Sequence, residues 1–207
     1  MAAVLGIALR GFDAARRLSC PPPMQRLTTR LDGLVLLAPA VHGDERGFFM
    51  ETYREESWSA EGVPTSFVQD NHSRSRRGTV RGIHFQTHPG QGKLVRCARG
   101  AVLDVVVDLR RGSETFGEWE SFELDDVHGR QLWIPIGFGH GFCVLSDTAD
   151  FVYKCTNYYD GATESGIRFD DPDVGIEWPT GFELLYSERD RTASRLADVA
   201  ETLPFVV

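Results

Sequence analysis

The chain has 207 residues, of which 42% are hydrophobic and 25% are charged. These proportions are typical of a soluble globular protein, and the length predicts one domain with a sizeable core. The formal net charge of −8 argues against nucleic acid or an anionic membrane as the main partner, but it allows an anionic small ligand in a locally basic pocket.

The first 23 residues differ in pattern from the rest of the chain. Their apolar run, Ala2–Leu9, precedes the first arginine, whereas a signal peptide carries its positive charge before the apolar run. Three prolines, at 21–23, then separate this stretch from Met24, where regular patterning begins. We predict a disordered, dispensable extension over residues 1–23, with a transit-like helix as the alternative, and a single domain over residues 24–207.

The four cysteines show no C-x-x-C spacing, and three of them stand inside apolar runs. This usage is typical of buried thiols in a reducing compartment and argues against a disulfide framework. No stretch approaches the roughly 20 apolar residues of a membrane span. We therefore expect a cytoplasmic protein that does not act on membranes.

The segment before residue 80 mixes short elements with loops. We predict a first strand at Leu34–Leu37, a charged turn at Asp44–Gly47 with two aromatic residues after it, and a short helix at Glu55–Glu61 that ends at Gly62 and Pro64. The basic, small-residue stretch Ser73–Gly78 is predicted to be a loop.

From Val80 onward, apolar and polar residues alternate with period two, and turn residues recur every 8–12 residues or so. This pattern predicts an antiparallel sandwich or barrel, followed by a C-terminal helical segment at Ser187–Ala200. The predicted strands are Val80–Phe85, Leu94–Ala98, Val102–Leu109, Trp119–Leu124, Gln131–Ile134, Phe142–Ser146 and Asp150–Thr156.

Two histidines on predicted strands are the first functional candidates. His84 closes the run V-R-G-I-H at 80–84, and His140 closes a P-x-G-x-x-H corner at 135–140. With Lys93 and Tyr153 they are suited to proton transfer inside a small barrel. The competing interpretations are a satisfied structural histidine at 84, a turn histidine at 140 and a packing tyrosine at 153.

The residue two positions after His84 is Gln86, so the His-x-His pair of metal-binding barrels is missing. We therefore predict no catalytic metal. In a regular strand Arg81 and His84 would face opposite ways, and we expect a bulge at Gly82 to bring them to one side. Asp104, an acid in an apolar strand, needs a partner if it is buried, and a histidine is the natural one.

The chain resembles the dTDP-4-dehydrorhamnose 3,5-epimerase family, including its members in antibiotic deoxysugar pathways. The resemblance runs from about Met24 to Asp190. Six collinear motifs carry it: Asp44–Phe49, Phe67–Ser73, Arg81–His84, Gln91–Cys97, Gln131–Pro135 and Phe151–Lys154.

The resemblance implies an all-β, cupin-type jelly roll (double-stranded β-helix) with short peripheral helices, a homodimer, and no metal or cofactor. The implied substrate is a dTDP-4-keto-6-deoxyhexose, epimerised at C3, C5 or both through an enolate. The implied roles are general base for His84, its orienting acid for Asp190, proton donor for Tyr153 and enolate cation for Lys93. The implied substrate contacts are Arg46, Glu51, Gln69, Asn71, Arg81, His140 and Glu164.

By the same resemblance, Arg46 and Glu51 are expected to reach across the dimer, and Asp104 is expected to pair with His140. Two other functions remain open from the sequence. One is a dTDP-sugar 3,4-ketoisomerase on the same barrel, and the other is a sugar-binding cupin without catalysis. The presence of His84, Tyr153, Lys93 and Asp190 together argues against the second.

Overall fold

A computed structural model describes residues 24–207. The predicted extension over residues 1–23 lies outside the described residues. In this part of the chain the strands are β1 (Gln25–Leu27), β2 (Val35–Ala38), β3 (Val41–Asp44), β4 (Gly47–Met50), β5 (Gln69–Arg76), β6 (Val80–Gln86), β7 (Lys93–Arg99), β8 (Ala101–Asp108), β9 (Trp119–Asp125), β10 (Gln131–Ile134), β11 (Phe138–Val144), β12 (Thr148–Cys155) and β13 (Glu164–Gly166).

These strands form two facing antiparallel sheets and a separate hairpin. The six-stranded sheet has the order β1-β2-β10-β7-β12-β5, the five-stranded sheet has the order β13-β6-β11-β8-β9, and β3 pairs with β4. The main core lies between the sheets, where Val95 and Phe151 of one pack with Val106 and Phe142 of the other. The rings of Phe142 and Phe151 stack with centroids 4.3 Å apart. The predicted all-β jelly roll is confirmed.

The helices are short and peripheral, as predicted. They are α1 (Glu55–Ala60), α2 (Glu188–Thr192) and α3 (Leu196–Val199), with a 3₁₀ turn at Ala200–Thr202. The predicted C-terminal helical segment is interrupted, because Ala193 is extended and Ser194 forms a bridge with Ile167. Among the described residues, no helix is long and apolar enough to cross a membrane.

The prediction of a loop at Ser73–Gly78 is wrong for most of that stretch, because β5 continues to Arg76. Each residue of β5 pairs with a residue of β12. The inward positions of β5 are Gln69, Asn71, Ser73 and Ser75, so the strand lacks the apolar alternation that sequence patterns depend on. Its polar inner face reflects a cavity instead of a core.

The predicted bulge at Gly82 is present in β6. Arg81 pairs with Phe142 and His84 pairs with His140, so two residues of β6 lie opposite one residue of β11. Gly82 has φ +137°, and a Cβ there would lie 2.4 Å from the Cα of Gly141. The bulge places Arg81 and His84 on the same face of the sheet, and it requires glycine at position 82.

Candidate active site

A cavity of about 250 Å³ opens between the two sheets. Its lining is mostly polar and combines residues of β5, β6, β7, β12 and β13 with residues of the β6–β7 and β12–β13 connections. The lining residues are Gln69, Asn71, His84, Phe85, Gln86, Gln91, Lys93, Tyr153, Tyr159 and Glu164. They include six predicted site residues, namely His84, Lys93, Tyr153, Gln69, Asn71 and Glu164.

His84 and Asp190 form a hydrogen-bonded pair at the cavity wall. The Nε2 atom of His84 lies 2.6 Å from Oδ1 of Asp190, whose backbone N–H is capped by the Ser187 hydroxyl at 3.1 Å. Burial alone would raise the pKa of Asp190, but the hydrogen bonds from His84 and Ser187 hold it below its usual value. A carboxylate fixed in this way orients the imidazole and leaves Nδ1 without a partner among the described residues.

Lys93 reaches the same cavity from the six-stranded sheet. Its strand neighbour across the β7–β12 pair is Cys155, and no ion pair to Lys93 occurs among residues 24–207. Burial lowers the pKa of Lys93, while the nearby Cys155, Glu164 and Asp104 act in the opposite direction. The site therefore holds a desolvated amino group, whose charged form a developing negative charge nearby would stabilise.

Tyr153 lies two residues from Cys155 on β12, with its ring 6.1 Å from that of Phe151. Burial raises the pKa of the Tyr153 phenol, and Cys155 and Glu164 add to the effect, so the hydroxyl stays protonated at neutral pH. Because His84 and Tyr153 stand on opposite sheets, an imidazole and a phenol approach the cavity from two sides.

Arg81 lies beside the cavity, although it is not part of its lining. Its Nε donates to the Ser75 hydroxyl at 3.1 Å, and its positive charge lowers the pKa of Tyr153 against the effect of burial. The guanidinium is largely exposed, which leaves its remaining donors available to a ligand.

His140 is buried within β11, so the competing interpretation of a turn histidine is wrong. The strand begins at Phe138, directly after the corner, and the ring stacks against Phe151 with centroids 6.0 Å apart. The predicted pair is present, with Nε2 of His140 2.8 Å from Oδ2 of Asp104. Burial raises the pKa of Asp104, and its Oδ1 has no partner among the described residues.

Arg46 and Glu51 lie outside the cavity lining of their own chain, as do Arg81, His140 and Asp190. Arg46 is at the tip of the β3–β4 hairpin, with 85% of its side chain exposed and an ion pair to Asp44. Glu51 follows β4 and pairs with Arg54. Neither residue lines the cavity of its own chain, and the expectation that they serve a neighbouring subunit stays a prediction.

Sequence reasoning missed several groups at the cavity mouth. The Tyr159 hydroxyl donates to Oε2 of Glu164 at 2.8 Å, and Arg189 donates to the same oxygen at 2.5 Å. Gln86 was interpreted only as the missing metal ligand. Arg189 could have been suspected because it stands next to Asp190 in the sequence. The contacts of Tyr159 and Gln86 could not, because they depend on how the β12–β13 connection folds back.

The described residues contain no cluster of three or more His, Cys, Asp or Glu side chains with the geometry of a metal site. The two histidines that face the sheet interior each bond a carboxylate, His84 to Asp190 and His140 to Asp104. Both imidazoles are thus committed to acid–base pairs.

A family model for dTDP-4-dehydrorhamnose 3,5-epimerase matches residues 28–198. The chain belongs to this family. A dTDP-4-dehydrorhamnose 3,5-epimerase of Methanothermobacter thermautotrophicus is 50% identical over 167 residues, which cover 80% of this chain and 90% of the relative.

Two further relatives bear on the reaction. The crystal structure of dTDP-6-deoxy-D-glucose-3,5-epimerase from Legionella pneumophila Philadelphia 1, in complex with dTDP-4-keto-L-rhamnose, matches with a TM-score of 0.84 and 46% identity, covering 88% of this chain and 98% of that one. A dTDP-4-dehydrorhamnose 3-epimerase of Streptomyces niveus is 47% identical over 173 residues, 83% of each chain. The family therefore includes enzymes named for two centres and for one.

Proposed function

We propose that the protein epimerises a dTDP-4-keto-6-deoxyhexose at C3, C5 or both, with His84 as the base and Tyr153 as the opposing acid. The observation that carries the proposal is the approach of these two side chains to one cavity from opposite sheets, with the ammonium of Lys93 in the same lining. Membership of the epimerase family supports the same activity.

The chemistry follows from the 4-keto group of the substrate. The carbonyl acidifies the protons at C3 and C5, and His84, oriented by Asp190, removes one of them through its free Nδ1. The resulting enolate places negative charge on O4, which Lys93 stabilises in a poorly solvated site. Tyr153 then delivers a proton to the other face of the carbon, and the configuration inverts. The scheme needs neither a metal nor a cofactor.

We further propose that the other predicted residues bind the nucleotide sugar. Gln69, Asn71 and Glu164 line the cavity and supply hydrogen bonds to the sugar, and Arg81 contacts the diphosphate. His140, paired with Asp104, supports the sugar-facing wall from the interior. Arg46 and Glu51 complete the site of the partner in a homodimer, because neither of them lines the cavity of its own chain.

The identity of the inverted centre is decided by the product. Purified protein is incubated with dTDP-4-keto-6-deoxyglucose, and NMR reads the configuration at C3 and C5 together with the position of the carbonyl. Inversion at both centres identifies a 3,5-epimerase, whereas inversion at C3 alone identifies the activity named for the Streptomyces niveus relative. A carbonyl moved to C3 would indicate a 3,4-ketoisomerase, and unchanged substrate would leave only the non-catalytic sugar-binding protein.

We also infer that the protein works in the cytoplasm. Cys97, Cys143 and Cys155 are buried and unpaired in the described part of the chain, as expected for thiols in a reducing compartment. Burial raises the pKa of Cys97 to about 12 and that of Cys143 to about 11, so both thiols are unreactive packing groups.

A further inference from the structure

The connection between β12 and β13 passes over the cavity mouth, and its backbone is held by amide side chains from the cavity wall. Gln86, which is only 4% exposed, donates through Nε2 to the carbonyl of Tyr158 at 3.3 Å. Its Oε1 accepts from the N–H of Asp160 at 3.2 Å. A single carboxamide thus binds the backbone groups immediately before and after Tyr159.

Two other glutamines hold the same connection. Oε1 of Gln69 accepts from the N–H of Tyr159 itself at 2.8 Å, and Nε2 of Gln91 donates to the carbonyl of Asn157 at 2.7 Å. Gln69 belongs to the six-stranded sheet and Gln86 to the five-stranded sheet. The backbone of residues 157–160 is therefore fixed to both walls of the cavity.

The side chain of Tyr159 connects the backbone of residues 157–160 to the neighbourhood of His84 and Asp190. Its hydroxyl donates to Glu164, which also receives Arg189, and the next residue is Asp190, the partner of His84. The position of the connection and the position of the cavity-lining Glu164 are consequently linked by hydrogen bonds.

We propose that Gln86 is a positioning residue that fixes Tyr159 and residues 157–160 as one wall of the substrate cavity. The inference rests on the proposed function for its kinetic consequence, but the positioning is a property of the protein without substrate. It also gives Gln86 a role of its own at the position where metal-binding barrels carry a histidine, because both ends of its amide already bind backbone.

Two substitutions separate the halves of this contact. Gln86→Leu removes the donor and the acceptor, whereas Gln86→Glu keeps an acceptor for the Asp160 N–H and loses the donor to Tyr158. The matched control is Gln131→Leu, since Gln131 is another buried glutamine, at 1% exposure, but lies in β10 outside the cavity lining.

The first measurement is hydrogen–deuterium exchange of the protein without substrate. Amides of residues 158–160 should exchange faster in Gln86→Leu, with a smaller change at Asp160 in Gln86→Glu and none in Gln131→Leu. Unchanged exchange at 158–160 in Gln86→Leu would overturn the positioning role. A uniform rise across all strands would equally contradict it, because the residue would then serve general stability.

The second measurement is steady-state epimerisation. We expect KM to rise about tenfold in Gln86→Leu with a much smaller change in kcat, because the cavity wall is loosened while the acid and base remain. Loosened exchange with an unchanged KM would show that this wall does not serve the substrate and would overturn the proposal. If the wild-type protein shows no epimerisation, the proposed function fails, and the exchange experiment still decides whether Gln86 holds the connection.

Discussion

At the scale of single residues, the surroundings of each ionisable group suit the role proposed for it. Burial lowers the pKa of Lys93 from its ordinary value of 10.5 and raises the pKa of Tyr153 from its ordinary value of 10.0. Asp190 has a lowered pKa and stays ionised beside His84. The base has a permanent anion behind it, and the acid keeps its proton.

These shifts predict which residue sets the basic limb of the pH profile. Lys93 must be charged to stabilise the enolate, so kcat/KM should fall as pH rises through its lowered pKa, below the ordinary lysine value of 10.5. In Lys93→Arg the cation persists, and the limb should move to higher pH even though the rate falls. Rate–pH profiles of both proteins make the measurement.

Tyr153→Phe is the control for this assignment. Because the pKa of Tyr153 is raised, its removal should lower the rate and leave the limb in place. A limb that stays fixed in Lys93→Arg and disappears in Tyr153→Phe would assign the titration to the tyrosine.

Site residues that stand in short sequence motifs could be predicted, whereas site residues that are brought together by the folding of loops could not. His84, Lys93 and Tyr153 stand in local runs that resemble the family. Gln86 and Tyr159 escaped prediction because their contacts join residues more than 70 positions apart, and such contacts exist only after the two sheets have closed. The strand after the corner was predicted to begin at Phe142 but begins at Phe138, because sequence patterns do not specify on which residue a strand begins.

At the scale of elements, strand prediction succeeded for the long apolar strands. It missed β5 and the short strands β1, β3, β4 and β13, so the predicted first strand is the second, β2. Gln131–Ile134 was predicted to the residue, and most other strands to within two residues, since alternation records the core. The inner face of β5 is polar because it serves the cavity, so the pattern that would reveal it is absent. The bulge in β6 was predictable because Gly82 lies between Arg81 and His84, two predicted site residues that must share a face.

The bulge supplies a prediction about stability. Gly82→Ala should destabilise the fold by more than about 4 kcal/mol, since the new methyl group would lie 2.4 Å from the Gly141 Cα in a backbone region that disfavours side chains. Gly47→Ala is the matched control, with a similar φ of +132° and no atom within 4 Å of the added Cβ. It should cost only the backbone strain, about 1–3 kcal/mol.

Urea unfolding of both variants provides the comparison. Equal losses in the two proteins would show that close approach to Gly141 contributes nothing, and that the bulge tolerates a side chain.

At the scale of the whole molecule, the β3–β4 hairpin stands apart from the two large sheets. It pairs with no other strand in the described residues, and it exposes 52% of Phe48 and 68% of Phe49. Exposed aromatics on an isolated hairpin favour docking against another subunit. The two-sheet body was predictable from the sequence, whereas the separate pairing of β3 with β4 was not, because this segment lacks a regular apolar alternation.

A mixing experiment tests whether this hairpin serves a neighbour. Arg46→Ala and His84→Ala should each be poorly active, but a mixed dimer would contain one site with both residues intact. Co-refolding equal amounts should therefore restore about a quarter of the wild-type rate. Light scattering verifies the dimer. A mixture no more active than its separate components would mean that Arg46 acts within its own chain or that no dimer forms.

The central claim is that His84 and Tyr153 carry out separate halves of one proton exchange, and deuterium incorporation tests it most directly. The substrate is incubated in deuterated water with each variant, and NMR follows both label and configuration at C3 and C5. His84→Ala should abolish incorporation and epimerisation together, whereas Tyr153→Phe should still form the enolate, take up deuterium mainly with retention, and lose epimerisation far more than exchange. Each loss should reach ~10²–10⁴-fold. Exchange at near wild-type rate in His84→Ala, or equal losses of both processes in Tyr153→Phe, would contradict the account.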